Sequence, residues 1–424
     1  MDKYQKQILS NGLRLILVPV LQAKSVTAMV LVGAGSRYET AQTNGLSHFL
    51  EHMVFKGSKK WPTAKKIASL IDGIGGEFNA YTGKEDTVYY IKSASPHLKL
   101  TLAVLSDITF NPLFVQKEIE KEKGVILEEI NMYEDLPMRR VAEYFETLLY
   151  PNSPLGWDIA GRPDNIKNIK QQDFLDYRRA RYLASNMVLA IVGGFAKEKA
   201  IDWAKQYFSF KTEMKEFPKP REAFVQEKPG LFLKTKKTDQ THLVCGVRTY
   251  PLGHRRRYAE AVLAAILGGG MSSRLFTEVR EKRGLAYYVR TDVEHYLDNG
   301  YLATSAGVDT KRAAEAIKLI VNQYEKIKAK SSIKPKELAK AKEYLKGRFI
   351  LEIEDSRNAS QHFGLSELLE GKIRSLEEIL KGIDKVSLED INRVANECFQ
   401  ADRLNLAIIG PFEDKDKFER LLNC

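Results

Sequence analysis

"MVLAIVGGF", residues 187 to 195, comes back as "LNLAIIGPF", residues 404 to 412, at an offset of 217 that sets Leu189 on Leu406. Each is an apolar run of strand length stopped by glycine. Ahead of each stands a helical pattern, "QQDFLDYRRARY" (171–182) and "LEDINRVANECF" (388–399). Further upstream, "KEIEKEKGVIL" (117–127) shares its order of charged and aliphatic positions with "KELAKAKEYLK" (336–346). Offsets near 213 to 219 recur along the chain, the trace of a duplicated domain.

The joint between the copies is "KTEMKEFPKPREAFVQEKPG" (211–230), which is charged, carries Pro218, Pro220 and Pro229, and shows no period. It reads as an extended linker. The expected domains are therefore 1–210 and 231–424, a division that suits a chain of 424 residues. Within each copy, alternating stretches such as "LRLILVPV" (13–20) and "TVYYIK" (87–92) are separated by helical ones such as "TAKKIASLIDGIG" (63–75). The expected fold class is α+β, two duplicated domains, each a largely antiparallel sheet covered by helices.

Hydrophobic residues make up 44% and charged residues 29%, the composition of a folded globular protein. The first twenty residues alternate apolar and polar positions, so a strand is expected there and not a signal peptide. No stretch approaches about 18 consecutive apolar residues, so no membrane partner is expected. Cys245, Cys398 and Cys424 are odd in number and far apart, which fits neither a disulfide framework nor a cysteine metal site. A reducing compartment, the cytoplasm, is the expected location. The net charge of +11 concentrates in part between Glu325 and Arg348. That segment lacks interleaved aromatics or a reading motif, so it is taken as a solvated helical face and no nucleic-acid partner is expected.

"GLSHFLEHMVFKGS" (45–58) sets three polar groups, His48, Glu51 and His52, among Leu46, Phe49, Leu50, Met53 and Phe55. Positions i, i+3 and i+4 share one helical face, so the three point the same way. Two imidazoles one turn apart can grip a metal ion, and a carboxylate between them can move a proton. A lone histidine on such a helix is usually a hydrogen-bonded core residue; two with a glutamate on one face favour a metal. The duplication supplies a control. At an offset of 213, Ala261, Ala264 and Ala265 stand where the first copy has His48, Glu51 and His52, so packing alone does not require the polar residues.

A catalytic zinc takes three protein ligands as a rule. In "VQKEIEKEKGVILEEINMYEDLP" (115–137) Ile119, Ile126 and Tyr133 set a stripe that also holds Glu122 and Glu129, while Glu128 lies about 100° away. A carboxylate on a buried face needs a partner. For Glu129 that partner is a metal, or else a lysine or arginine in a buried salt bridge.

"HFLEH" (48–52) resembles the inverted zinc motif, His-x-x-Glu-His, of the pitrilysin family of metallopeptidases. The blocks "GGEFNAYT" (75–82), "ILEEINMYEDLP" (126–137) and "GGGMSSRLFTEVREKRGLAYYV" (268–289) are similar to that family's in the same order, and the resemblance covers essentially the whole chain. It implies that His48, His52 and Glu129 hold one Zn2+ per chain, that Glu51 is the general base, and that Glu122 is a supporting residue. It makes Arg280 and Tyr287, seven residues apart, a substrate-contacting pair, and Asn79, Ala80 and Tyr81 an edge that binds substrate as an added strand. The "GGGMSSR" run lacks the ending of a phosphate loop, so nucleotide is not expected there.

The implied activity is zinc-dependent endopeptidase cleavage of peptides or unstructured polypeptide segments inside a closed chamber. The implied assembly is a homodimer whose active sites are completed across subunits, since one chain carries both residue sets. The alternative is a non-catalytic or structural subunit of a processing-peptidase-like complex, against which the intact ligand set argues.

Overall fold

A computed structural model describes residues 4–210 and 212–422. The chain forms two compact units. In the first, β1 (Gln5–Ile8), β2 (Arg14–Pro19), β3 (Ser25–Val32), β4 (Glu77–Thr82), β5 (Thr87–Ala94) and β6 (Met187–Gly193) form a sheet in the order β1-β2-β6-β3-β5-β4. In the second, β7 (Gly230–Thr235), β8 (Gln240–Arg248), β9 (Ala286–His295), β10 (Gly300–Asp309) and β11 (Asn405–Gly410) follow the order β7-β11-β8-β10-β9. Apart from β1, the second sheet repeats the first strand for strand. Each holds one parallel pair, β2 with β6 and β7 with β11, and the rest is antiparallel. The register repeats too. Leu189 lies opposite Leu15, and Leu406 lies opposite Leu231.

Strand β6 is buried at every residue and β3 at all but its first. Their near-continuous apolar sequences follow from being covered on both faces. One cover comes from an unexpected place. The helix Ser356–Leu365, from the second half of the chain, lies on β3 and β6. Asp355 caps it by accepting from the backbone N–H of Arg357 and Asn358, and also receives Lys92 Nζ of β5 at 2.7 Å. Gly364 permits the close approach, because a Cβ there would fall 2.3 Å from Leu31 Cδ1.

The converse occurs in the second unit. Helix Pro137–Leu149, from the first half, packs Val141, Phe145 and Leu149 against Val244, Ala303, Ala407 and Ile409. Its Glu146 accepts hydrogen bonds from Tyr296 at 2.8 Å and Tyr301 at 3.1 Å. The compact units are therefore Met1–Ile130, Trp157–Pro218 and Ile350–Glu377 on one side, and Asn131–Gly156, Lys219–Phe349 and Glu378–Cys424 on the other. They differ from the sequential division at 1–210 and 231–424, because an amphipathic helix must bury its apolar stripe but its sequence does not say on which sheet. No helix among the described residues is long and apolar enough to cross a membrane.

Candidate metal centre

Helix Leu46–Val54 buries Leu46, Phe49, Leu50, Met53 and Val54, which leaves His48, Glu51 and His52 together on its other face. It starts at Gly45, whose φ of 101° lies in the left-handed region. A side chain there would also strike Ile166 and the Ala160 carbonyl. The buried Glu39 carboxylate covers this helix start, accepting from Gly45 N at 2.8 Å, Ser47 N at 2.6 Å and Asn44 Nδ2 at 3.1 Å. Burial pushes that carboxyl up to about 7, with the three donors pulling the other way.

The long helix Gln116–Glu134 presents the stripe expected of it. Ile119, Glu122, Ile126 and Tyr133 are buried, Glu129 is half-buried and Glu128 is exposed. Glu129 Oε2 lies 3.6 Å from His48 Nε2 and 3.4 Å from His52 Nε2. The three ligand atoms are within 4.8 Å of one another. Ligands about 2.0–2.1 Å from a tetrahedral ion stand roughly 3.3 Å apart, so two imidazoles and a carboxylate at these separations fit a zinc-sized cation.

His52 uses its other ring nitrogen as well. Nδ1 is 2.9 Å from Glu122 Oε1, and Glu122 Oε2 pairs with Lys56 Nζ at 2.6 Å. Carboxylate–imidazole pairing of this kind fixes the ring and directs Nε2 outward. Burial works to lower the His52 imidazole, but Glu122 and Glu129 outweigh it and raise it to about 9. The same two carboxylates hold the site attractive to any cation. Glu51 is raised by burial, opposed by a hydrogen bond from Thr82 Oγ1 to its Oε2 at 2.6 Å.

In the second unit, Arg280 is the penultimate residue of a π-helical segment, Phe276–Glu281, and Tyr287 is the second residue of β9. The Arg280 guanidinium lies 4.8 Å from the Phe276 ring and 5.7 Å from the Tyr287 ring, while Tyr287 is 74% exposed. Their neighbours are engaged locally. Arg283 pairs with Glu278 at 2.7 Å and the Tyr288 hydroxyl is 3.1 Å from His242 Nδ1. The glycine-rich loop before them is fastened to helix Pro335–Ile353 at three points on one helical face. Arg274 pairs with Glu337, Lys340 Nζ donates to Ser272 O at 3.1 Å, and Tyr344 donates to Gly269 O.

Asn79, Ala80 and Tyr81 lie on β4, an edge strand paired with β5. Asn79 Oδ1 accepts from Ala80 N at 2.8 Å. Three residues that the sequence reading passed over take part in the first unit's site: Glu39, Lys56 and Thr82. Lys56 stands four residues after His52, a spacing that could have flagged it. Glu39 reaches the helix from the loop just before it and Thr82 from a distant strand, and neither left a periodic signal.

Residues 15–162 match the family model described as Insulinase (Peptidase family M16), and 168–345 match Peptidase M16 inactive domain. An uncharacterised zinc protease of Bacillus subtilis, YmxG, is 36% identical across 95% of this chain and 97% of its own length. The chain belongs to peptidase family M16. Other M16 relatives include an uncharacterised zinc protease of Mycobacterium leprae, 33% identical over 98% of this chain and 93% of that one. A crystal structure of a protease from Helicobacter pylori superposes with a TM-score of 0.91 at 26% identity, covering 97% of this M16 chain and all of that chain. The "inactive domain" description agrees with Ala261, Ala264 and Ala265 standing where the first copy has its polar face.

Proposed function

We propose that this chain is a zinc-dependent endopeptidase, with His48, His52 and Glu129 holding one zinc ion per chain and Glu51 as general base. The observation that carries the reading is the convergence of His48 Nε2, His52 Nε2 and Glu129 Oε2, with Glu51 on the same face of its helix. The zinc-protease relatives support the choice of metal. Bound there, zinc supplies Lewis acidity that activates water and polarises the scissile carbonyl.

The protein groups do the rest. Glu51 takes the proton from the attacking water and returns it to the leaving amine. Glu122, itself neutralised by Lys56, keeps the His52 ring in one orientation. The β4 edge at Asn79, Ala80 and Tyr81 takes the peptide as an added strand, through main-chain bonds that ignore side-chain identity. Arg280 holds a substrate carbonyl and Tyr287 stabilises the developing oxyanion.

The substrates in this reading are peptides or unstructured polypeptide segments admitted to a closed chamber. The working form is a cytoplasmic homodimer in which Arg280 and Tyr287 of one chain complete the site of the other. The presence of both residue sets on one chain supports self-sufficiency. Cleavage of a mixed peptide library, read by mass spectrometry, should stop on chelation and return with zinc. Glu51→Gln should lower the rate by roughly 100-fold or more while leaving zinc content and Tm as in wild type. Undiminished cleavage by a pure Glu51→Gln sample would overturn the reading.

A further inference from the structure

Two contacts tie strand β4 to helix Leu46–Val54 and its C-cap. Thr82 Oγ1 donates to Glu51 Oε2 at 2.6 Å, and the Phe78 ring lies 5.4 Å from that of Phe55, the helix C-cap. Phe78, Ala80 and Thr82 share one face of β4, and Asn79 and Tyr81 take the other. Glu51 and Phe55 are about one helical turn apart. On that face of the strand the small Ala80 lies between the apolar contact and the polar one.

The polar contact bears on Glu51 itself. A glutamate carboxylate turns broadly about its last torsion, so either oxygen can face the site unless something fixes one of them. A threonine hydroxyl has one proton to give, and here Glu51 Oε2 receives it at the short distance of a charge-assisted bond. Branching at Cβ restricts the Thr82 side chain further. Val, the isostere without the hydroxyl, keeps that branching and leaves the Phe78–Phe55 contact and the pairing of Thr82 with Thr87 on β5 in place.

Building on the reading of Glu51 as general base, we propose that Thr82 is a positioning residue for hydrolysis. It holds Glu51 Oε2 so that Oε1 faces the water, and it refers the base to the same strand on which the peptide is laid. Substrate and base then share one frame, which limits the misplacement that costs rate.

The test compares Thr82→Val and Thr82→Ser with wild type and Glu51→Gln, all zinc-loaded, by kcat, KM, zinc content and Tm. Thr82→Val is expected to lose roughly 10–100-fold in kcat with KM within about twofold, and with zinc content and Tm as in wild type. Thr82→Ser, which restores the donor, is expected to recover kcat to within about threefold. Wild-type kcat in Thr82→Val overturns the inference, as does a loss confined to KM. Equal losses in the Val and Ser variants, or a loss that tracks zinc content or Tm, overturn it too. If Glu51→Gln still cleaves, the general-base reading fails and this inference with it. If Glu51→Gln is inactive and Thr82→Val is not slowed, only the present inference fails.

Discussion

His52 meets a carboxylate at each ring nitrogen, Glu122 at 2.9 Å and Glu129 at 3.4 Å, so the ring cannot turn without breaking one of them. Glu122→Gln keeps an acceptor but removes the charge that makes the imidazole a better donor of electrons to a metal. Zinc affinity should fall by roughly 10–100-fold, measured by competition with a chromogenic chelator; an unchanged affinity would show that Glu122 is only a partner of Lys56. A second carboxylate matters for stability. Glu260 is fully buried, and burial raises it to about 8 against the pull of Thr249, with His295 Nε2 3.8 Å from its Oε2. The folded chain holds this proton more tightly than an unfolded one, whose carboxyl titrates near 4.5. The stability it contributes is therefore complete below that value and is lost as pH rises through about 8. Glu260→Gln should flatten the fall of Tm across that window and raise Tm at its upper end; parallel curves for the two proteins would count against it. At this scale the sequence was legible where chemistry is local. That His48, Glu51 and His52 share one helical face, and that Glu129 lies on the inner stripe of its own helix, follows from helical periodicity, whereas Thr82 and Glu39 depend on which strand or loop folds over the helix.

Helix Leu46–Val54 is set in place from its N-terminal end. Glu39 accepts from the buried N–H groups of Gly45 and Ser47 at the helix start, and Ser47 Oγ donates to Tyr177 OH at 2.8 Å. Glu39→Ala leaves those buried amides without a partner, at about 1–3 kcal/mol each. Tm should drop by several degrees and zinc binding should weaken with it; a Tm equal to wild type would mean that water replaces the carboxylate. The corresponding helix in the second unit, Arg257–Ala264, runs on into a π-helical segment, Ala265–Gly269, and a second such segment carries Arg280. π-turns gather at functional sites, and they re-aim side chains by inserting a residue into the helical count. An alignment of the two copies foresaw the helix and the alanines, because both follow from residue pattern. The π geometry was not foreseen, since one added residue per turn changes no periodicity over so short a stretch.

For the whole molecule, the mixing of two inactive variants decides how the sites are assembled. Glu51→Gln and Arg280→Ala each spoil one half of the proposed composite site, and a mixed dimer holds one intact combination. After demonstrated subunit exchange, an equal mixture should recover about a quarter of the wild-type rate per chain; no recovery would place Arg280 and Glu51 of one chain in the same site. The repeat was legible end to end, down to Leu189 and Leu406 holding matching register positions. The exchange of helices Pro137–Leu149 and Ser356–Leu365 was not, because Val141, Phe145 and Leu149 announce a buried face without naming its sheet. That exchange has a consequence for how the protein is made. When β6 has left the ribosome, the sheet it completes still lacks the Ser356–Leu365 helix that covers β3 and β6, which is encoded about 170 residues further on. At roughly 5–20 residues per second, the nascent sheet waits on the order of 10–30 s with an apolar face open. During synthesis the first half of this chain thus has no finished core until translation is nearly over.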